Sequence, residues 1–439
     1  MAGELVTADV AARRAVEAVW RIESARIIAG LAGLVRDVGL AEELAQDALV
    51  AALEQWPAQG IPANPGAWLM LTGRHRAIDR IRRDERLRGK LALLGREAAD
   101  GQLDAPPEFD AVLDDDAIDD DLLRLMFIAC HPVLSTDARI ALTLRLLGGL
   151  TTEEIARGFL LPEPTIAKRI TRAKRTLADR GVPFEVPARP ELRGRLSSVL
   201  EVLYLVFNEG YAAMAGEDWM RPALSNEALR LGRVLAGLMP AEPEVHGLVA
   251  LMEIQASRMP ARLGPDGLPV PLPEQNRGRW DQLLIRRGFT ALLRAQRLGG
   301  PPGPYVLQAA IAAGHARART AAETDWRQIA ELYRGLAALT PSPVVELNRA
   351  VAVAMADGPA AGLRIVDDLA DDPALAGYHH LPSVRGDLLA RLGRHAEAAG
   401  EFRRAAALTR NAAERTALEK RAAQSDGQRD GQCDGHAGL

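Results

Sequence analysis

Helical spacing of apolar residues is the feature that most constrains the fold of this chain. Three segments with this spacing cover Val10 to Val38, Ala41 to Trp56 and Ala67 to Arg88, with Pro- and Gly-containing loops between them. Few runs show the alternation of apolar and polar residues expected of half-buried strands. The pattern therefore predicts an all-α protein with no sheet of consequence.

The length of 439 residues exceeds what one hydrophobic core usually organises, which favours two or three domains. Composition shifts along the chain predict where they lie. We expect a first helical domain over 1–90, a linker over 91–121, a second helical domain over 122–181, a helical C-terminal region over 190–423 and a disordered tail over 424–439.

The predicted linker ends in a strongly acidic stretch. From Asp104 to Asp121 the chain carries nine acidic residues and no basic residue: Asp104, Glu108, Asp110, Asp114, Asp115, Asp116, Asp119, Asp120 and Asp121. Such a charge run favours an extended, solvated segment.

The composition excludes several classes of protein. Hydrophobic residues make up 48% and charged residues 26%, which is typical of globular proteins. No stretch approaches 18 uncharged apolar residues, and Met1 to Val10 lacks a basic segment followed by an apolar core, so we expect a cytoplasmic protein with no membrane partner. Cys130 and Cys433 lie far apart and indicate neither a disulfide framework nor a metal cage.

The segment Leu150 to Arg180 has the pattern of a helix-turn-helix. Thr151 and Glu154 form a capping box that predicts a short helix from Thr152 to about Phe159. After a break, Pro164 is well placed at the start of a second helix.

The second helix has two different faces. Apolar residues recur at helical spacing on one side, at Ile166, Ile170, Ala173 and Leu177. Polar and cationic residues lie roughly opposite: Thr165, Lys168, Arg172 and Arg175, with Arg169 at the edge. A cationic helix after a tight turn suits the major groove of DNA, where guanidinium groups bind guanine edges and phosphates. A solvated basic face is the alternative.

Near the N-terminus, an acidic helix precedes a basic one. Leu40 to Asp47 reads Leu-Ala-Glu-Glu-Leu-Ala-Gln-Asp, and Trp68-Leu69, Gly73-Arg74-His75, Ile78-Asp79 and Arg82-Arg83 follow. With the run from Thr165 to Lys174, these motifs resemble regions 2 and 4 of an extracytoplasmic-function sigma factor over residues 10 to 180. His75 replaces the Asn of the family pattern, and Ala167 stands where the family has lysine.

The resemblance implies partners and site residues. The protein would bind core RNA polymerase at the coiled coil of its largest subunit and at its flap. Glu43, Gln46 and Asp47 would contact the coiled coil. The loop Pro57 to Gly66 and the basic helix would melt the −10 element, with Trp68, Arg74, His75, Arg76, Asp79, Arg82 and Arg83 holding the melted strand. The −35 element of double-stranded promoter DNA would be read by Thr165, Lys168, Arg169, Arg172 and Arg175. The acidic linker would either occupy the RNA exit channel or serve as a plain tether.

The C-terminal region resembles the subgroup of this family that carries tetratricopeptide-like repeats. Residues His379 to Arg410 fit the 34-residue pattern, and Val344 to Gly377 fits it loosely. A generic helical hairpin is the alternative. Such a region could regulate the sigma domains in cis through an intramolecular contact.

Other polar clusters carry weaker signals. Phe207-Asn208-Glu209-Gly210-Tyr211 is interpreted as a helix C-cap with Gly210 at the terminus rather than a ligand pocket. His379-His380 and Cys130-His131 lack the second ligand pair of a zinc site. We therefore expect no metal, no cofactor and no enzymatic activity. The main rival function is a one-component transcription regulator with a ligand- or protein-sensing C-terminal domain.

Overall fold

The computed structural model describes the backbone of residues 2–94, 115–159, 161–212, 215–216 and 219–434, and the side chains of 12–87, 120–159, 161–188, 190–212 and 219–428. This part of the chain is helical, as predicted. It contains α1 Ala2–Val35, α2 Val38–Gln59, α3 Pro65–Leu94, α4 Asp115–Ala129, α5 Thr136–Leu146, α6 Thr152–Phe159, α7 Glu163–Asp179, α8 Arg189–Tyr211, α9 Pro222–Leu238, α10 Pro243–Ala256, α11 Gln282–Arg297, α12 Pro304–Arg317, α13 Trp326–Leu339, α14 Pro343–Asp357, α15 Pro359–Asp368, α16 His380–Arg391, α17 His395–Leu408 and α18 Ala412–Asp434.

Extended structure is minimal in these ranges. Two strands of two residues each, β1 Ala215–Gly216 and β2 Arg410–Asn411, pair in parallel, with Ala215 opposite Arg410. Short 3-10 helices cover Met259–Ala261, Leu272–Glu274, Arg277–Arg279 and Pro373–Leu375. No helix of the described residues is long and apolar enough to cross a membrane.

The chain divides into two compact units, residues 1–202 and 203–439. In the first unit, α1 packs against α2, α3 and α4. Its face toward them is fully buried at Ile28, Leu31 and Ala32. The small residues Ala41, Ala45, Ala48 and Ala52 line the facing side of α2, so the helices approach closely. Close packing of this kind fixes the faces of α2 and α3 that remain exposed.

Three predicted boundaries in the first unit were wrong. α2 continues through Pro57 to Gln59, so the loop expected over Pro57 to Gly66 spans only residues 60–64. α4 begins at Asp115, so the acidic stretch is helical from there on rather than extended. Residues 95–114 of the linker lie outside the described residues. The unit also extends beyond residue 181 into α8.

The N-terminal part of α8 belongs with the second predicted domain. The Arg195 guanidinium donates to the carbonyl oxygen of Phe127 at 2.9 Å, and the Ser198 hydroxyl donates to that of Cys130 at 2.6 Å. Arg139 donates to Ser198 Oγ and pairs with Glu201 at 3.0 Å. The compact C-terminal unit begins after Val202.

The second unit consists of successive helices packed on their neighbours. In the hairpin of α16 and α17, Gly386 faces the ring of Phe402, where a Cβ atom would lie 2.8 Å from the ring. Ala398 and Ala405 are fully buried beside it. These small and large residues occupy the offsets that the repeat pattern predicts, although the same packing is compatible with a generic hairpin. α18 extends to Asp434, so the predicted tail is helical over 424–434.

Candidate functional site

The helix-turn-helix is held at its start by the predicted capping box. The Thr151 amide donates to Glu154 Oε2 at 2.8 Å, and the Glu154 amide donates to Thr151 Oγ1 at 3.1 Å. Two backbone donors that the first turn cannot satisfy are thereby bonded. α6 starts at Thr152 and α7 at Glu163, so the predicted turn between two short helices is confirmed.

α7 has the two faces that its sequence predicts. Ile166, Ile170, Ala173 and Leu177 are buried, which confirms the apolar stripe. Thr165, Lys168, Arg172 and Arg175 are exposed. Arg175 pairs with Asp179 at 3.4 Å on the same helix. Neither Lys168 nor Arg172 has an acidic partner among the described residues, so both cations are available to phosphates or bases.

Arg169 differs from its neighbours on α7. It is half-buried, and its guanidinium lies 3.0 Å from a carboxylate oxygen of Asp137 at the start of α5. Both residues line a surface groove of about 450 Å³ beside α7. The Asp137 carboxylate therefore already engages this guanidinium.

On α2, the acidic residues have different environments. Glu42 is buried, where Arg145 Nε donates to it at 2.7 Å and the Lys174 ammonium pairs with it. Glu43 and Asp47 are exposed, and Gln46 is half-buried, with its amide donating to Glu42 Oε1 at 3.0 Å. Glu42 thus connects α2 to α5 and α7, and the outward acidic surface consists of Glu43 and Asp47.

α3 begins beside the short loop, where Asn64 Oδ1 accepts from the Ala67 amide at 3.1 Å. Trp68 is half-buried and packs edge to face on the buried Trp56, with ring centroids 5.5 Å apart. Arg74 and Arg76 are also half-buried, and Arg76 lies 3.7 Å from Asp47. The predicted polymerase-binding and −10 surfaces therefore adjoin. Exposed on α3 are His75, Asp79, Arg82 and Arg83.

The interpretation of Gly210 as a helix C-cap is wrong. Gly210 lies within α8, and a Cβ atom there would be 2.3 Å from the Ser225 amide nitrogen. Its lack of a side chain lets the start of α9 approach α8. Glu209 is buried and pairs with Arg221, so it is a structural residue here.

Two other polar clusters were judged structural from the sequence. Burial raises the pKa of the Cys130 thiol to about 11, and its sulfur lies 3.3 Å from Thr143 Oγ1, so the thiol is protonated. His379 and His380, by contrast, gain a third potential ligand from α18. His379 Nε2 lies 3.0 Å from Glu414 Oε1, and the ligand atoms of all three residues lie within 4.8 Å of one another. The sequence alone could not reveal Glu414, because it lies far along the chain.

Three family models match successive parts of the chain. Residues 23–87 match Sigma-70 region 2, and residues 124–177 match Sigma-70, region 4. Residues 195–296 match a family of unknown function, DUF6596. The two sigma matches contain all of the predicted polymerase- and DNA-binding residues. The tetratricopeptide assignment has no counterpart among these matches.

A similar protein is the uncharacterized protein R00370 of Rhizobium meliloti (strain 1021). It is 44% identical over 379 residues, which are 86% of this chain and 88% of the relative. The similarity therefore spans both units. With regions 2 and 4 in this order, the chain belongs to the sigma-70 family: it is a sigma factor of the extracytoplasmic-function-like type, with a C-terminal extension, that binds core RNA polymerase and promoter DNA and directs transcription initiation.

Proposed function

We propose that three exposed surfaces of the first unit bind core polymerase, the −10 element and the −35 element, and that the second unit regulates them in cis. The exposed cationic face of α7 is the observation that carries the proposal. α7 has the form of a recognition helix, and its buried apolar stripe fixes the orientation of the exposed face. The activity is that of a non-enzymatic transcription factor, acting in the cytoplasm.

The polymerase-binding surface would be centred on Glu43 and Asp47. Both carboxylates are exposed and one helical turn apart on α2, which suits a basic partner such as the coiled coil of the largest polymerase subunit. Gln46 lies between them, but its amide is engaged with Glu42. We therefore assign Gln46 a smaller share of the contact than the two carboxylates.

The −10 element would be bound along α3. His75, Asp79, Arg82 and Arg83 are exposed there. The half-buried Trp68 would stack its ring face on an unpaired base. Arg74 and Arg76 lie at the margin of this surface. The cations would hold the phosphates of the melted strand, and the polar side chains would contact its bases.

The −35 element would be read by α7. Lys168 and Arg172 project from the exposed face without acidic partners among the described residues, and Thr165 precedes them near the helix start. Residues near the start of a recognition helix commonly reach base edges, and those farther along reach phosphates. Arg169 would join them after its pair with Asp137 is broken.

Regulation in cis is proposed for the second unit because it makes up half of the chain and has its own core. Packed helical repeats present surfaces that bind peptides or domains. A contact of the second unit with regions 2 and 4, or with the polymerase, would change transcription.

Binding to core polymerase tests the proposal most simply. Glu43→Arg with Asp47→Arg reverses two exposed charges and should weaken co-purification with core enzyme about tenfold or more. Glu54→Arg, also exposed on α2, is the matched control and should bind normally. Undiminished binding by the double variant would place the polymerase contact elsewhere. Sequence-specific binding of this protein to an operator in the absence of polymerase would instead support the one-component regulator.

A further inference from the structure

A cavity of about 760 Å³ lies within the second unit. One wall is the turn from Arg262 to Val270, closed by two backbone hydrogen bonds: the Val270 amide donates to the Arg262 oxygen at 2.8 Å, and the Gly264 amide to the Leu268 oxygen at 2.9 Å. Residues of α18, including Leu418 and Lys420, form another wall. The volume falls within the range of cavities that hold small organic ligands.

Arg262 lines this cavity and is nearly inaccessible. Only 5% of the residue is exposed. Its guanidinium carbon lies 3.4 Å from the ring centroid of Tyr211 and 4.2 Å from that of Trp219. One nitrogen donates to the Tyr211 carbonyl oxygen, while Nε has no hydrogen-bond partner. Two aromatic rings and a backbone bond thus hold the guanidinium in one orientation, which leaves its remaining donors fixed.

The charge of Arg262 is not balanced by an acid of the described residues. Arg258, which also lines the cavity, has no carboxylate partner among them either. Burial, together with the positive charge of Arg258, lowers the pKa of Arg262 to about 10. Glu217 and Asp218 lie outside the described side chains. Buried cations are normally paired with an anion, because removing them from water is costly.

Three acidic residues line the cavity, and each lies beside a cation or histidine other than Arg262 and Arg258. Glu274 interacts electrostatically with Arg421. Asp266 accepts from Lys420 at 3.0 Å, and Glu414 is paired with His379. The Arg258 guanidinium makes one long hydrogen bond, 3.3 Å, to the amide oxygen of Gln275. An anion entering from outside would therefore meet two arginines whose charge the cavity itself leaves unmatched.

The rest of the lining mixes polar and apolar residues, and Leu268, Val270, Leu272 and Leu418 form its apolar wall. We propose that this cavity binds an amphiphilic organic anion, with its carboxylate or phosphate held by Arg262 and Arg258 and its hydrocarbon part against the apolar wall. Guanidinium groups bind both headgroups through paired hydrogen bonds. The second unit would then be a ligand-binding domain. The binding does not depend on the proposed regulation in cis.

Calorimetry and thermal unfolding of the full-length protein test this site without polymerase or DNA. The probes are linear carboxylates and alkyl phosphates of four to ten carbons, with inorganic phosphate and the matching alkylamines. At least one anionic series should bind and raise Tm, and the alkylamines should not. The series that binds identifies the headgroup. No binding by any anion, or equal binding by amines, overturns the proposal.

Variants locate the binding. Arg258→Gln and Arg262→Lys should each weaken the best probe about tenfold or more, because each loses a charge-assisted hydrogen bond. Arg327→Gln, exposed on α13, is the matched control. Circular dichroism checks that each variant is folded. If Arg262→Lys is unfolded, the affinity of Arg258→Gln alone tests the site. Unchanged affinity in Arg258→Gln, or inorganic phosphate binding as tightly as alkyl phosphates, contradicts the proposed site.

Discussion

Arg172 lies on the exposed face of α7, three residues from Arg169 but without the carboxylate partner that Arg169 has. Arg172→Ala should cost about 1 to 3 kcal/mol of promoter binding and relax the base preference at one −35 position, if the guanidinium makes a bidentate base contact. Arg180→Ala, at the exposed end of the helix, is the control. The measurement is the affinity of both variants for a set of promoters with altered −35 sequences. A loss of affinity that is uniform across the set would indicate a phosphate contact instead.

His315 should make the second unit sensitive to acid. Burial, together with the positive charges of Arg258 and Arg277, lowers the pKa of this histidine to about 3. The unfolded chain takes up this proton near pH 6.5, whereas the folded protein does not until about pH 3, so the free energy of unfolding falls as the pH drops between these values. At pH 5 the loss is roughly 2 kcal/mol.

Urea denaturation at pH 7 and pH 5 measures this effect. His315→Gln should show a smaller loss of stability between the two pH values than the wild-type protein, and His75→Gln, exposed on α3, should resemble the wild type. An equal loss in His315→Gln would mean that other groups account for the acid sensitivity.

At the residue scale, local contacts could be predicted and distant ones could not. Thr151 and Glu154 are three residues apart, so their reciprocal hydrogen bonds follow from the helix start itself. Glu42 looks like its neighbour Glu43 in the sequence, but its partner Arg145 is 103 residues away. The pair of Asp137 with Arg169 and the role of Gly210 were missed for the same reason.

Among the elements, α2, α5 and α7 are joined by Glu42. Its carboxylate is buried beside two cations, so Glu42→Ala leaves Arg145 and Lys174 without their counter-charge. We expect a loss of roughly 3 to 5 kcal/mol in the stability of the first unit. Glu43→Ala, one residue along and exposed, should change stability by less than about 0.5 kcal/mol. Hydrogen exchange in α2 and α7 measures both, and equal protection in the two variants would contradict the role of Glu42.

The position and buried face of each helix were easier to predict than its first and last residues. Apolar spacing placed α2 and α3, and the stripe of α7 was correct, because burial of one face dominates helix stability. Pro57 was interpreted as a loop residue, yet α2 continues to Gln59. The acidic residues from Asp115 onward favour solvent, but α4 carries them on a helix whose apolar residues Leu122, Leu125 and Met126 are buried.

At the scale of the whole molecule, the boundary between the units lies after Val202, and this changes how the second unit should be removed. A chain that ends at residue 202 keeps the bonds from Arg195 and Ser198 to Phe127 and Cys130, whereas one that ends at residue 190 loses them. The longer chain should therefore melt at a higher temperature, bind core polymerase and give a transcript level that differs from that of the full-length protein. Identical transcript levels would exclude regulation in cis.

The order of the domains could be predicted because each carries its own local motifs. Regions 2 and 4 were found from short runs of residues, whereas the cavity of the second unit is assembled from segments near residues 219, 262 and 418. No run of the sequence contains it. The same holds for Glu414 beside His379 and His380.

Run-off transcription with purified core polymerase tests the central claim most directly, that regions 2 and 4 of this chain direct initiation. The full-length protein should start transcription at defined promoters, whereas core enzyme alone should not. Glu43→Arg with Asp47→Arg should abolish these transcripts, and Arg172→Ala should reduce them according to the −35 sequence. The account is contradicted if core polymerase with the full-length protein yields no promoter-specific transcript, or if the transcripts persist at full level in the double variant and in Arg172→Ala.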